Sequence, residues 1–175
     1  KADGKYGNTI RHIIYWLRKA YDVAENDKQK SSITLLIMYY LTGDLQFFNH
    51  YCIEWLQDKE SEIDFINGFI EVYGDPLGLK GSWEGLVEYI DEEATHRTQT
   101  ISQNAKWFED HSPVDARFRK PVVKGVSANV ICAAMLGGDE YPATAIGINL
   151  PNADWIRAAY GSKSITISNI TDAYN

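Results

Sequence analysis

Cysteine is almost missing from this sequence, as are clustered positive charge and long apolar runs. Its two cysteines, Cys52 and Cys132, each lie inside an apolar segment. They are too few and too far apart for a disulfide framework or a zinc knuckle, and both read as buried free thiols. Lys+Arg number 17 against 24 Asp+Glu, a formal charge of -7. Without basic patches to neutralise phosphates, nucleic acid is excluded as a partner. No run approaches the roughly 20 apolar residues of a membrane span, and the start, KADGKYGNTI, has no hydrophobic signal core, so no membrane partner is expected. What remains is 175 residues, 45% hydrophobic, enough for one ordinary domain or two small lobes.

The usual chemical signatures are absent as well. There is no G-x-S-x-G elbow and no H-E-x-x-H helix. GGDEYP and YGSKS lack the glycine spacing that turns backbone N–H groups toward phosphates. Glu93 and His96 stand at the Glu-x-x-His spacing of di-iron bundles, but such bundles need a second copy, and His12, His50 and His111 do not supply one. This pair reads as a solvated helix face. The sequon Asn169-Ile170-Thr171 is a short match of the kind chance produces. No residue is assigned a catalytic or metal-ligating role.

What is present is organised. Ile10, Ile13, Ile14, Leu17, Ala20, Tyr21 and Ala24 recur at helical spacing and predict a helix over residues 9–24. Ile33, Leu36, Ile37, Tyr40 and Leu41 mark a second, stopped by Gly43. Asp44 caps a third through Leu45, Phe48, Tyr51, Cys52 and Trp55. SEIDFIN leads into an apolar strand that ends at a turn marked by Asp75-Pro76 and Gly78. From Ser82 to Asp110, the pattern Trp83, Leu86, Val87, Ile90, Ala94, Ile101, Ala105, Phe108 predicts one long helix with a polar middle. A basic loop, DARFRKPVVKG, then leads to three strand-like runs in SANVICAAMLGG, TAIGINLP and KSITISN. The class is α+β: a helical layer packed with part of a β-barrel-like sheet, plus one long protruding helix.

The strand in GFIEVYGDPLG carries Glu71 and Tyr73. Strand alternation would put Phe69, Glu71 and Tyr73 on one face and Ile70 and Val72 on the other. From the residues alone, this is either the wet face of an edge strand or a carboxylate and a phenol turned together toward a ligand.

Two blocks, IDFINGFIEVYGDPLGLKGSWEGLVEYID and AIGINLPNADWIRAAYGSKSITISN, resemble the dipeptidyl peptidase III family, zinc-dependent exopeptidases that remove dipeptides from peptide N-termini. The helices before them, notably YYLTGDLQFFNHYCIEWLQDKESEIDFINGFIE, resemble bacterial members, and the likeness covers nearly the whole chain. It implies a two-lobed parent with a peptide cleft between a zinc-bearing helical lobe and a lobe with a β-barrel core. This chain would be a fragment of the β-containing lobe. Residues 1–79 would form its helical part with the first strand, 80–120 a long helix and basic loop reaching toward the zinc lobe, and 121–175 its β-rich return.

The family's zinc motifs, H-E-x-x-x-H and E-E-x-[CR]-[AG]-[ED], do not occur in these residues. By the resemblance, zinc belongs to the full-length enzyme and this fragment alone is inactive. The same resemblance gives the Glu and Tyr of the strand and the two Asn of G-I-N-[IL]-P-N to the subsites for the peptide's N-terminal end. Those positions are Glu71, Tyr73, Asn149 and Asn152. The chemistry suits them, since a peptide's ammonium, with a pKa near 8, is mostly charged at neutral pH and is met by a carboxylate supported by amide oxygens.

The implied partners are a peptide with a free N-terminus and the missing zinc lobe. The exposed long helix would be open to self-association, and the implied compartment is the cytoplasm. The alternative is a non-catalytic peptide-binding or scaffolding domain that keeps the same strand.

Overall fold

The computed structural model describes residues 1–75, 77, 81–123, 126–142 and 144–173. They form two compact units, Lys1–Ser61 and Glu62–Asn175.

The first unit is helical: α1 Gly7–Asp22, α2 Asp27–Thr42 and α3 Leu45–Gln57. Two expected signals, Gly43 and Asp44, act at its ends, and Asn26, not singled out in the sequence, adds another. Asn26 starts α2, its side chain accepting from the Gln29 N–H at 2.9 Å, and Gly43 closes α2 in the left-handed region at φ 75°. Asp44 then caps α3, accepting from the Gln46 N–H at 2.9 Å. Helix α2 packs on both neighbours, burying Ile10, Ile14, Leu17, Ile33, Leu36, Tyr40, Tyr51 and Trp55. Each fully buried Ile or Leu contributes about 1.5–3 kcal/mol. Tyr21 and Leu41, placed on the buried stripes by spacing, are exposed. Both lie in the last turn of their helices. Cys52 is buried as expected, which pushes its thiol up to about 12.

The second unit is built on a five-stranded sheet in the order β1-β2-β3-β5-β4. Its strands are β1 Ile63–Glu71, β2 Ser82–Ile90, β3 Val126–Gly138, β4 Gly147–Leu150 and β5 Ser162–Ile167. Neighbours run antiparallel except β3 and β5, which are parallel. Helices α4 Glu92–Gln103 and α5 Ala105–Asp110 lie between β2 and β3, α6 Asp154–Tyr160 precedes β5, and α7 Ser168–Ala173 follows it. The α+β class therefore holds, and the three C-terminal strand-like runs are strands. Pro76 and Gly78, expected to mark the turn, lie outside the described residues.

The helix expected over Ser82–Asp110 is corrected in its first third: Ser82–Ile90 is the strand between β1 and β3. Its inward positions are Glu84, Leu86 and Glu88, all buried. Two carboxyl groups on the core face hid the period-2 pattern, and the remaining apolar residues imitated a helical one. The polar DEEATHRTQT starts a helix instead of filling the middle of one. Asp91 caps α4 by accepting from the Ala94 N–H at 2.9 Å. Thr95 Oγ1 donates to the Val130 carbonyl at 3.0 Å and accepts from its N–H at 2.9 Å, fixing α4 to β3.

The sheet curls, because contacts join strands that are not neighbours. Lys163 of β5 donates to Asp64 Oδ2 of β1 at 2.8 Å, with both residues buried. On the same face lie Ile66, Leu86, Ile165 and Ile167. Cys132, expected to be buried, is only partly so, and its Sγ lies 3.2 Å from Ser168 Oγ. The sequon's Asn169 uses its amide on β3, accepting from the Ala133 N–H and donating to the Ala133 carbonyl, both at 3.0 Å.

Candidate functional site

The end of β1 is not a regular strand. Its pairing with β2 runs Gly68↔Glu84 and Phe69↔Trp83, then slips to Glu71↔Ser82, so Ile70 is an extra residue in a bulge. Directly opposed residues share a face, which groups Glu71 with Ser82 and, two residues on, with Glu84. The expected common face for Phe69, Glu71 and Tyr73 is thus corrected, because the bulge reverses the alternation between Phe69 and Glu71. Tyr73 lies beyond the strand and is 93% exposed.

Glu71 is half-buried, and its Oε1 accepts from the N–H groups of Val72 at 2.7 Å and Tyr73 at 3.0 Å. Those bonds hold the carboxylate against the bend that follows. Asn152, in the loop after β4, donates from Nδ2 to the carbonyl of the bulged Ile70 at 3.3 Å. This bond joins the two edges of the sheet and sets Asn152 beside the residue preceding Glu71. Asn149 is exposed on β4, opposite Ser164 of β5. Pro151, between the two Asn, is buried after a cis peptide bond. Among the described residues, Tyr73 meets Glu71 through its backbone N–H alone.

Sequence reasoning missed the carboxyl groups behind Glu71. Glu84 and Glu140 are 4% and 8% exposed and share a side-chain hydrogen bond, which requires that one of them carry a proton. Thr144 Oγ1 also donates to Glu140 Oε2. Glu84 is raised to about 8, first by burial and then by the bond to Glu140 and the charges of Glu140, Glu71 and Asp139. Glu84 passed as a helix-surface residue in sequence, and Glu140 lies in GGDEYP, weighed there only as a phosphate loop.

Two registers along the same face, Glu88 is 1% exposed and its Oε2 has no hydrogen-bond partner. Burial raises its pKa to about 8, Asp64 adds to the rise and Lys163 opposes it. Among the described residues, no group of three His, Cys, Asp or Glu could hold a metal ion.

A cavity of about 950 Å³ is lined by residues that include Ile101, Phe108, Lys120, Arg157, Ser162 and Ser164. Ser164 is the cross-strand neighbour of Asn149. Apolar walls with a few cationic and hydroxyl groups suit a chain of mixed polarity, such as a peptide.

The structure resembles that of DPP III from Caldithrix abyssi, with a TM-score of 0.84 and 22% identity over 96% of this chain and 32% of that one. The dipeptidyl-peptidase III of Corallococcus sp. strain EGB gives 0.82 and 22%, over 97% and 31%. In sequence, dipeptidyl peptidase 3 of Dictyostelium discoideum is 28% identical over 173 residues, 97% of this chain and 24% of that protein. The Rattus norvegicus protein of the same name is 25% identical over 167 residues, 95% of this chain and 22% of that protein. An Arabidopsis thaliana protein named Nudix hydrolase 3 is 24% identical over 169 residues, 96% of this chain and 21% of that protein. The chain thus spans less than a quarter of the length of these last three proteins and about a third of the two solved chains. The family model described as Peptidase family M49 matches residues 2–175, and the chain belongs to that family.

Proposed function

We propose that this chain is the part of a dipeptidyl peptidase that grips the free N-terminus of a peptide, through Glu71 with Asn149, Asn152 and Tyr73 around it. The observation that carries the reading is the bulge at Ile70, which turns Glu71 off the face of Phe69 while Asn152 bonds to the bulged carbonyl. A carboxylate steadied by two backbone N–H groups suits an ammonium, and a charge-assisted hydrogen bond of this kind is worth about 1.5–3 kcal/mol. Asn152, with Asn149 on the edge strand, adds amide oxygens for the ammonium and N–H groups for peptide carbonyls. Tyr73, exposed past the strand, would close over the bound end.

The parent protein removes dipeptides with zinc held by residues outside those described, and this chain alone releases none. The described residues bind and orient the peptide. No described helix is long and apolar enough to cross a membrane. The cytoplasm is the proposed compartment.

The test is Glu71→Gln in the full-length protein. The amide keeps the shape and loses the charge, so kcat/KM for free-amine peptides should fall roughly tenfold to a hundredfold. N-acetylated peptides should be poor substrates for both forms. An unchanged kcat/KM in a folded variant would return Glu71 to an ordinary strand position.

A further inference from the structure

We infer that Glu84 and Glu140 are positioning residues for the substrate ammonium, sharing a proton that Glu84 surrenders when the ammonium settles on Glu71; the inference rests on the role proposed for Glu71.

The bulge at Ile70 sends Glu71 to the face that carries Glu84, across from Gly68 and Gly138. Glu84 therefore faces Glu71 at the end of β1, and Glu140 and Asp139 in the connection between β3 and β4. The nearest ion pair on the face, Lys163 with Asp64, lies beside Glu88, on the far side of Leu86. All the groups whose charge acts on Glu84 are thus acidic. Without a ligand, the crowding is relieved by one proton, held as an O–H from Glu84 to Glu140 while Glu140 also accepts from Thr144.

An ammonium at Glu71 adds one positive charge and offsets the Glu71 charge, which favours this proton after burial and Glu140 have done so. The Glu84 O–H bond breaks, its electron pair stays on the carboxylate, and the proton passes to buffer. The net event exchanges an ammonium for a proton. Ionised Glu84 then adds a second negative charge behind Glu71. A neutral N-acetyl terminus brings no charge and leaves the proton in place, so the pair sharpens the choice for free amines.

The probe is the dipeptide Ala-Ala, titrated into the full-length protein by calorimetry at pH 6.5 in two buffers of different ionisation enthalpy. At that pH the dipeptide's amine, with a pKa near 8, is already charged and takes up almost no proton of its own. Wild type should release roughly half a proton or more per dipeptide bound, as linkage requires of a group whose pKa falls on binding. Glu84→Gln should release none, Glu140→Gln less than wild type, and N-acetyl-Ala-Ala should bind without release.

Glu71-dependent binding with no proton release by wild type would overturn the inference, as would equal release by folded Glu84→Gln. If Glu84→Gln fails to fold, the wild-type and Glu140→Gln measurements decide by the same criterion. Ala-Ala binding equally tightly to Glu71→Gln would instead sink the role of Glu71, and this inference with it.

Discussion

Glu88 shows how one buried group couples folding to pH. Its carboxyl is raised from 4.5 to about 8, chiefly by burial, so the folded chain holds a proton that the unfolded chain gives up between these values. In that window the native state binds more protons, and stability falls by roughly 1.4 kcal/mol per pH unit. The contribution is fully present below the unfolded pKa and lost as pH rises through the folded one. Glu84 has the same sign. Glu88→Gln removes this titration, so the drop in Tm between pH 5 and pH 8 should be smaller in the variant. Equal drops in the two proteins would show that Glu88 carries no such penalty. At this scale the sequence pointed to some members of the candidate site and passed over others. Glu71 and Asn152 were named through their motifs, whereas Glu84 and Glu140 were not, since a carboxylate among strand residues looks solvated until the fold buries it.

At the scale of elements, the helices of the first unit were legible because their ends carry local chemistry. Gly43 and Asp44 act within a few residues of themselves. Strand β2 was misread because its state is decided by partners far along the chain, β1 on one side and β3 on the other. Its run Trp83, Leu86, Val87, Ile90 satisfies helical spacing, and only cross-strand pairing tells the two apart. The bulge at Ile70 was invisible for the same reason.

The turn out of β3 depends on Gly138, which has φ 65° and no room for a side chain, since a Cβ would collide with the carbonyl of Trp83. Gly138→Ala should therefore lower stability by at least about 2 kcal/mol and shift Asp139 and Glu140 away from Glu84. Urea titration checks the first effect. Loss of the proton release on Ala-Ala binding, in protein that still folds, checks the second.

For the whole molecule, the proposed reading puts recognition and bond cleavage on different parts of a longer polypeptide; this chain spans 22–24% of the length of the curated dipeptidyl peptidase 3 relatives. Chelation of the full-length protein should abolish dipeptide release while leaving Ala-Ala binding, with its dependence on Glu71, within a factor of about three. Loss of both together would place the ammonium grip under the metal's control.

The pairing of Asn169 with Ala133 has a consequence for encounters between copies. Strand β3 pairs with β5 only as far as Ile131, so beyond that residue its backbone on that side has no strand beside it among the described residues. The Asn169 amide takes both the N–H and the carbonyl of Ala133, standing in for one residue of a strand. A bare strand edge is a template for another chain's strand, and one polar side chain blocks edge-to-edge aggregation where the sheet is left open.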